Sequence, residues 1–421
     1  MPNSVSLASI SKRLSARRVT AHAAIASVVC WGMYLLDIAK PGFLDRAGNL
    51  KGTDFLQFYT AGKFLSMGRI SLLYDVQQFW AACERSVPGI TNRHYFPVYP
   101  PQIALAFSPL SSMPYLSSLL LWVVVSAMLY AGCCAALALM CRTVAAPHSA
   151  FITAALAFPP FLSTIAHAQV SIVALVCLTA AFAAYARRML LVAGFALGCT
   201  VFKPQIFAAF LVAVVVVRAY RLVAGMLIAA SVQTALTAMF TGAGALVAYS
   251  ELAIKVPQLN VAVLAVKPFQ MHSLRAFWML LLPGRIATVL WLVSIAAIIV
   301  ILRVSWRQLK SAHVQFAVLI LAAVLINPHL YIYDAVILAP ALVVAAEESL
   351  IAADRRADLI RVALYALFAC FFFGPLSRFT HLQFSVPVLI GLFCVLSSTN
   401  LDREGNPLLT DRYRQAVEQL S

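Results

Sequence analysis

The sequence predicts an all-α, polytopic membrane protein with about twelve transmembrane or part-spanning helices. Two features of composition predict this class: 62% of the 421 residues are hydrophobic, and only 11% are charged. Soluble proteins carry roughly 25% charged residues. The third feature is the recurrence of apolar runs near the roughly 20 residues that a helix needs to cross a bilayer. Together these features exclude a soluble globular protein.

The chain divides into one membrane domain and two polar tails. Residues 1–19 form a basic cytoplasmic tail, residues 20–398 a single membrane domain, and residues 399–421 a second cytoplasmic tail. The first apolar run, at 20–39, is expected to be retained as a helix, because no small-residue cleavage site follows it and many apolar runs do. The others lie near residues 117–141, 150–166, 169–186, 190–217, 222–242, 287–303, 314–327, 334–347, 359–374 and 384–398.

The basic residues predict the orientation of these helices. The run at 190–217 is broken at Lys203-Pro204, which predicts two half-spans that meet at an outside turn. With this break, most Lys and Arg fall in cytoplasmic segments, whereas the short outside turns carry only Lys203 and Arg378, as the positive-inside rule requires. The protein is therefore predicted to lie in the cytoplasmic (inner) membrane, with both termini in the cytoplasm. The net charge of +16 is then a topology signal that also attracts anionic lipid, and no nucleic-acid partner is expected.

Two predicted outside loops are long, at residues 40–116 and 243–286. Both contain large apolar side chains, among them Phe79, Trp80 and Trp278. Semi-apolar segments of this kind are typical of amphipathic helices that lie on the membrane face. The bilayer is thus an expected partner of both loops.

Asp54 stands out in the first loop. The chain has only 15 Asp and Glu, and this one follows the first span directly. It heads a predicted helix in which Phe55, Phe58 and Tyr59 recur at helical spacing. A carboxylate in this place fits a catalytic base, and it equally fits a plain N-terminal cap of the helix.

Other unusual polar residues fall on the same predicted face. They are Tyr99, His167, Gln169, Lys203, Gln205, His272, Arg275 and residues 327–334, which include His329, Tyr333 and Asp334. Each has a structural alternative: Lys203 can snorkel from a helix end, and Asp334 can pair with a cation to satisfy its burial. Ionisable residues are costly at membrane depth, and a carboxylate beside several cations suits a phosphate-bearing ligand.

Neither a disulfide framework nor a metal site is indicated by the sequence. Its nine cysteines include no C-x-x-C pair and lie mostly in apolar runs. No D-x-D motif occurs either. No cofactor is therefore expected, although the sequence leaves a requirement for a divalent metal open.

Six short motifs, taken in order, resemble glycosyltransferase family 87. They are G-T-D-F-x-x-F-Y-x-A-G-K-x-L at 52–65, L-Y-D at 73–75, Y-P-P at 99–101, A-Q-V-S at 168–171, F-K-P-Q at 202–205 and N-P-H-L-Y-I-Y-D at 327–334. The resemblance runs from about residue 20 to 398, and it rests on the order and spacing of the motifs. The chain departs from the family at two positions. A glycine is expected at Ala168, and a small residue is expected at Asn327.

The resemblance implies a GT-C fold and a polytopic transferase similar to polyprenyl-phosphate-mannose-dependent α-mannosyltransferases. The donor would be a polyprenyl-phosphate sugar, mannose by default, and the acceptor a glycolipid or another glycan at the outer face. The family's catalytic carboxylate corresponds to Asp54, and His329 would share in catalysis. Candidate donor-phosphate ligands are Lys203, Arg275 and His329; candidate substrate contacts are Tyr59, Gln169, Gln205, Tyr333 and Asp334. A single prominent carboxylate predicts one displacement with inversion.

Two other functions remain compatible with the sequence. A transporter or flippase of a lipid-linked or anionic solute would also explain many helices, a broken helix and a basic cavity. It predicts repeat symmetry between halves, which the sequence lacks, and it leaves the two long loops unexplained. A ligase or acyltransferase of envelope polymers would share an outward-facing lipid-phosphate site.

Overall fold

The structure is a computed structural model, and it describes residues 7–89, 95–145, 148–255, 267–352 and 354–398. These residues form helices joined by turns, with no strand among them beyond two isolated bridges. The predicted all-α class is confirmed. The predicted C-terminal tail at 399–421 and residues 1–6 of the N-terminal tail lie outside the described residues.

Helices of very different length follow one another along the chain. In the first half they are α1 (Leu7–Arg13), α2 (Ala16–Ile38), α3 (Phe55–Ser66), α4 (Val76–Ser86), α5 (Gln102–Ser111), α6 (Tyr115–Met140), α7 (Arg142–Ala145), α8 (His148–Leu156), α9 (Pro159–Ala166), α10 (Ser171–Ala186), α11 (Leu190–Gly198) and α12 (Pro204–Val216). In the second half they are α13 (Tyr220–Thr241), α14 (Ala243–Lys255), α15 (Leu274–Leu281), α16 (Gly284–Ser305), α17 (Ala312–Ile326), α18 (Ala339–Ile351), α19 (Arg355–Phe372), α20 (Ser377–Thr380) and α21 (Ser385–Ser397).

Four of these helices, α2, α6, α13 and α16, are long and apolar enough to cross a membrane. The count within the described residues rises to six if the bent pairs His148–Leu156 with Pro159–Ala166 and Arg355–Phe372 with Gly374–Thr380 each form one span. The predicted count of about twelve is not confirmed, because it included apolar helices of 10–17 residues. At 1.5 Å per residue such helices reach only about 15–26 Å, less than a hydrocarbon core of roughly 30 Å.

The short apolar helices form the protein core instead. In α17 every residue from 316 to 326 is buried, and α10, α12, α16, α18 and α21 pack around it. A helix that is apolar on all sides needs such complete coverage. The predicted break at Lys203-Pro204 is confirmed: a 3-10 turn at Cys199–Phe202 ends the first half-helix, and α12 begins at Pro204.

The first long loop contains α3, α4 and α5. Helix α3 differs from the predicted surface helix, because Phe55, Leu56, Phe58 and Tyr59 are all buried. It packs closely against α5, and the Phe58 ring contacts the Phe107 ring at 5.3 Å between centroids. This aromatic packing fixes the start of α3, and with it the position of Asp54.

Helices α11 and α13 cross at small residues. Gly194 and Gly198 of α11 are four residues apart, which is the spacing that lets two membrane helices approach closely. A Cβ atom on Gly194 would lie 2.2 Å from the carbonyl oxygen of Leu222, and one on Gly225 would lie 2.2 Å from that of Leu191. The two backbones are therefore in direct contact, and this contact positions the half-helix that leads to Lys203.

Replacement of Gly225 by leucine is expected to destabilise the fold. The new side chain would have to push α11 away, and overpacking of this kind costs about 1–3 kcal/mol or more. Thermal unfolding of the purified protein in detergent measures the loss. Gly132→Leu in α6 is the matched control, because a Cβ there meets nothing within 4 Å. Equal melting temperatures for the two variants would contradict the close crossing.

Candidate active site

Asp54 immediately precedes α3, but its side chain does not cap that helix. No capping hydrogen bond is made by the carboxylate, although Asp75 makes two such bonds at the start of α4. Instead, Oδ2 of Asp54 accepts a hydrogen bond of 2.7 Å from Nε2 of Gln169. The capping interpretation is therefore wrong, and the half-buried carboxylate is held from another part of the chain.

Gln169 is placed by the end of α9. Its N–H bonds the carbonyl of Thr164, and the N–H of Ala168 bonds that of Ile165, which together make a Schellman motif. Ala168 has a φ of +48°, a conformation that favours glycine. The glycine that the family resemblance leads us to expect here thus has a physical reason. Trp122 fixes the turn by donating its indole N–H to the Ala168 carbonyl at 3.0 Å.

The other end of the Gln169 amide faces a cation and a phenol. Its Oε1 accepts from Nζ of Lys203 and from the hydroxyl of Tyr99, both at 3.3 Å. Gln169 therefore bridges the carboxylate of Asp54 and the ammonium of Lys203. The amide oxygen of Gln169 thus accepts two hydrogen bonds from within the protein.

Lys203 is the centre of a buried polar cluster. Its Nζ lies 2.5 Å from Oδ1 of Asp334 and 2.8 Å from Oγ of Ser171. Ser171 in turn donates to Asp334 at 2.7 Å. Lys203 and Asp334 are each 1% exposed, so the ion pair is closed off from solvent. We call the connected set of Asp54, Tyr99, Gln169, Ser171, Lys203 and Asp334 the polar network.

Aromatic rings surround the network. Nζ of Lys203 lies 5.3 Å from the centre of the Tyr333 ring and 5.8 Å from that of Tyr99. Tyr333 stacks on Tyr331 at 5.3 Å, and the His329 ring meets Tyr331 edge-on at 4.9 Å. A cation over aromatic faces gains electrostatic stabilisation. The rings also screen the ion pair from competing polar groups.

His329 has a half-buried imidazole. Its backbone N–H bonds Oδ1 of Asn327 at 2.9 Å, while its ring nitrogens have no hydrogen-bond partner within the described part of the chain. Burial lowers the pKa of His329 from its ordinary value. Asp334 opposes this shift, and the charges of Lys203 and Arg275 add to it. The imidazole is therefore neutral at pH 7 and able to donate or accept a hydrogen bond.

The second long loop is docked against the segment that carries His329. Met271 and Tyr331 form an antiparallel bridge, and the N–H of His272 bonds the Leu330 carbonyl at 2.7 Å. These contacts place α15 beside the network. The imidazole of His272 is itself buried against Ser385 at 2.7 Å, and burial lowers its pKa to about 3, which makes it a structural residue.

Arg275 lies at the edge of this region. It is exposed, with its guanidinium stacked over the ring of Trp291 at 5.7 Å. It faces a groove of about 630 Å³ between α15 and the start of α16. The groove is lined by Arg275, Met279, Leu282, Pro283, Gly284, Arg285, Thr288 and Val289. Two guanidinium groups and an apolar wall thus share one open cleft.

Two of the predicted substrate contacts, Tyr59 and Gln205, make no hydrogen bond to the network among the described residues. The hydroxyl of Tyr59 donates to the Met113 carbonyl at 2.7 Å, and its ring packs against Phe55 and Tyr115, so it stabilises α3. Gln205 is half-buried in the first turn of α12 and has no hydrogen bond to the network among the described residues. Ser171 was missed, because a serine at the start of an apolar helix is common.

No group of three or more His, Cys, Asp or Glu able to hold a metal ion occurs among the described residues. What those residues do present is a carboxylate with one oxygen held by an amide, a free imidazole and a cationic cleft. A carboxylate with a free oxygen can accept a proton, and guanidinium groups can bind an anion, so these residues suit an enzyme that acts on an anionic substrate.

The comparison with known families identifies which enzyme class this is. A family model described as glycosyltransferase family 87 matches residues 96–330, more than half of the chain. The protein belongs to this family, as the motifs predicted, and it is a membrane glycosyltransferase. Neither a curated protein nor a solved structure gives a significant match. The matched range contains Gln169, Lys203, Arg275 and His329, whereas Asp54 and Asp334 lie outside it.

Proposed function

We propose that the protein transfers a hexose, with mannose the first candidate, from a polyprenyl-phosphate donor to a glycolipid or glycan acceptor, with Asp54 as the general base. The observation that carries this proposal is the state of the Asp54 carboxylate. Oδ2 is held by Gln169, while Oδ1 has no partner in the described part of the chain. A half-buried carboxylate with one free oxygen can accept the proton of an attacking hydroxyl.

The transfer is a single displacement with inversion. The acceptor hydroxyl oxygen forms a bond to the anomeric carbon, its proton passes to Asp54, and the bond from that carbon to the phosphate oxygen breaks with its electrons on the leaving phosphate. A double displacement needs a second, nucleophilic carboxylate. Asp334 is not available for this, because it is almost completely buried and its charge is paired with that of Lys203.

The donor phosphate binds on the side of His329 and Arg275. Cationic and neutral N–H donors already in place stabilise the charge that develops on a leaving phosphate. The groove beside Arg275 offers a second guanidinium and an apolar wall, which suits a phosphate attached to a long isoprenoid chain. Lys203 has acceptors for all three ammonium protons, so direct phosphate binding falls to Arg275 and His329.

Arg275→Ala is expected to raise the KM for the lipid-phosphate donor by about tenfold, with a smaller effect on kcat. The loss of a hydrogen bond to a charged group costs about 1.5–3 kcal/mol, and exposure of the site reduces this. The matched control is Arg378→Ala: Arg378 is also exposed and also stacked on an aromatic ring, Phe269 at 5.9 Å, but it does not line the groove. Equal donor KM values in the two variants would contradict this assignment.

The site faces the outside, and both termini are cytoplasmic. The support is the distribution of Lys and Arg under the positive-inside rule. Ser112 lies in the first long loop and Arg307 follows α16, and both are exposed. Ser112→Cys should react with a membrane-impermeant maleimide in sealed cells, above the wild-type background, and Arg307→Cys only after permeabilisation. The opposite pattern would reverse the orientation.

The experiment that tests the function uses purified protein in lipid vesicles with labelled polyprenyl-phosphate-mannose and a membrane glycolipid extract. Appearance of the label in an acceptor lipid supports the proposal. Movement of intact donor across the bilayer without transfer would instead establish a flippase. Transfer from another polyprenyl-phosphate hexose, but not from the mannose donor, would change the sugar and leave the mechanism intact.

A further inference from the structure

We infer that the buried Lys203–Asp334 pair is a positioning device. It sets the direction of the Gln169 amide, so that Gln169 donates a hydrogen bond to Oδ2 of Asp54 and thereby turns the free Oδ1 of Asp54 toward the acceptor. This inference rests on the proposed role of Asp54 as the base. It assigns Lys203, Asp334 and Gln169 to positioning rather than to substrate contact.

A glutamine amide has two chemically different ends. One end is an acceptor, and the other end carries two donor protons. Asp54 is an acceptor when ionised, so it requires the donor end. If the amide were reversed, its oxygen would face the carboxylate oxygen and the two would repel each other. A group that contacts the other end of the Gln169 amide must therefore select one of its two orientations.

Lys203 makes this selection because an ammonium group has donors only. Its contact with Gln169 at 3.3 Å is possible only with the amide oxygen, and this leaves Nε2 for Asp54 at 2.7 Å. The Tyr99 hydroxyl, also 3.3 Å from the same oxygen, adds a second donor. The chain of contacts thus has one consistent polarity from Lys203 to Asp54.

The ammonium itself is fixed by its other two partners. Asp334 at 2.5 Å neutralises its charge, and the hydroxyl oxygen of Ser171 at 2.8 Å accepts a second hydrogen bond from it. Ser171 donates its own proton to Asp334, so every proton in this cluster has one acceptor. A buried cluster whose donors are all hydrogen-bonded is held rigidly, and the contact of Lys203 with Gln169 extends this order to the base.

The test replaces the pair while keeping the fold. Lys203→Met alone leaves the Asp334 carboxylate buried without a partner and will not fold well, so the variant is Lys203→Met with Asp334→Leu. Apolar residues of similar volume often replace a buried pair without loss of stability. We expect kcat to fall by about 10- to 100-fold, the effect of a misplaced catalytic group, with unchanged KM for donor and acceptor.

Two controls accompany this variant. Asp358→Leu with Arg361→Met removes another ion pair, in α19, and should leave kcat unchanged. Gln169→Met removes both ends of the amide and should lower kcat by a similar factor. If the pair acts through Gln169, adding its replacement to Gln169→Met gives no further loss, because residues of one network are not additive.

The outcomes separate the possibilities. A rise in donor KM would show that Lys203 binds the phosphate directly, and wild-type turnover in the double variant would show that the pair serves folding only; either result overturns the inference. Independent, additive losses from the pair and from Gln169 would also overturn it. Failure of the proposed function is distinguishable, because then the wild-type protein transfers no sugar at all.

Discussion

Asp54→Asn is expected to reduce sugar transfer by about 10²- to 10⁴-fold, the usual cost of losing a general base. The substitution keeps the shape of the side chain and an oxygen that accepts the Gln169 hydrogen bond, but it removes the group that takes the proton. Folding and donor binding should be nearly unchanged. Turnover and the KM for the donor, measured in the same lipid, give the result.

The matched control for this variant is Asp75→Asn. Asp75 lies in the same loop and caps α4 through the N–H groups of Gln77 and Gln78. Asparagine caps a helix as well as aspartate does, so activity should persist. Near wild-type turnover of Asp54→Asn would remove Asp54 from the mechanism and leave it a role in holding Gln169.

The second large effect concerns stability. Asp334→Leu alone is expected to destabilise the protein by about 3–5 kcal/mol, because it leaves the Lys203 ammonium buried without a counter-charge. The change should appear as a lower melting temperature in detergent and a lower yield of monodisperse protein.

Lys203→Met added to Asp334→Leu should restore most of that stability. The restoration follows because the desolvation cost belongs to the unpaired charge and disappears with it. A double variant as unstable as Asp334→Leu would contradict this, and would mean that the ion pair itself is required for folding. Arg361→Met, which removes a half-exposed partner of Asp358, is the control and should cost much less.

The sequence predicted the members of the polar network better than the contacts between them. Asp54, Gln169, Lys203 and Asp334 were all found, because ionisable and amide groups are rare in an apolar chain. The sequence did not say which cation pairs with Asp334, since 131 residues separate it from Lys203. Only the packing of α10, α12 and α17 brings them together, and no local pattern encodes that.

The fold, too, was predicted in part. The helical class and the break at Lys203-Pro204 followed from composition and from proline chemistry. The number of full spans did not, because the mostly apolar sequence of the 15-residue helix α17 is the same whether the helix faces lipid or protein. Tyr59 was assigned to the substrate for a related reason: aromatic spacing indicates a buried face, and it does not say whether a substrate or another helix covers that face.

The distance along the chain between Lys203 and Asp334 has a consequence for biosynthesis. At about 5–20 residues per second, the ribosome needs on the order of ten seconds to make the 131 residues that separate the cation from its partner. During that time the ammonium has no counter-charge, and burial of an unpaired charge is costly. The ion pair can therefore close only after residue 334 has been made, and the polar network is completed late in synthesis.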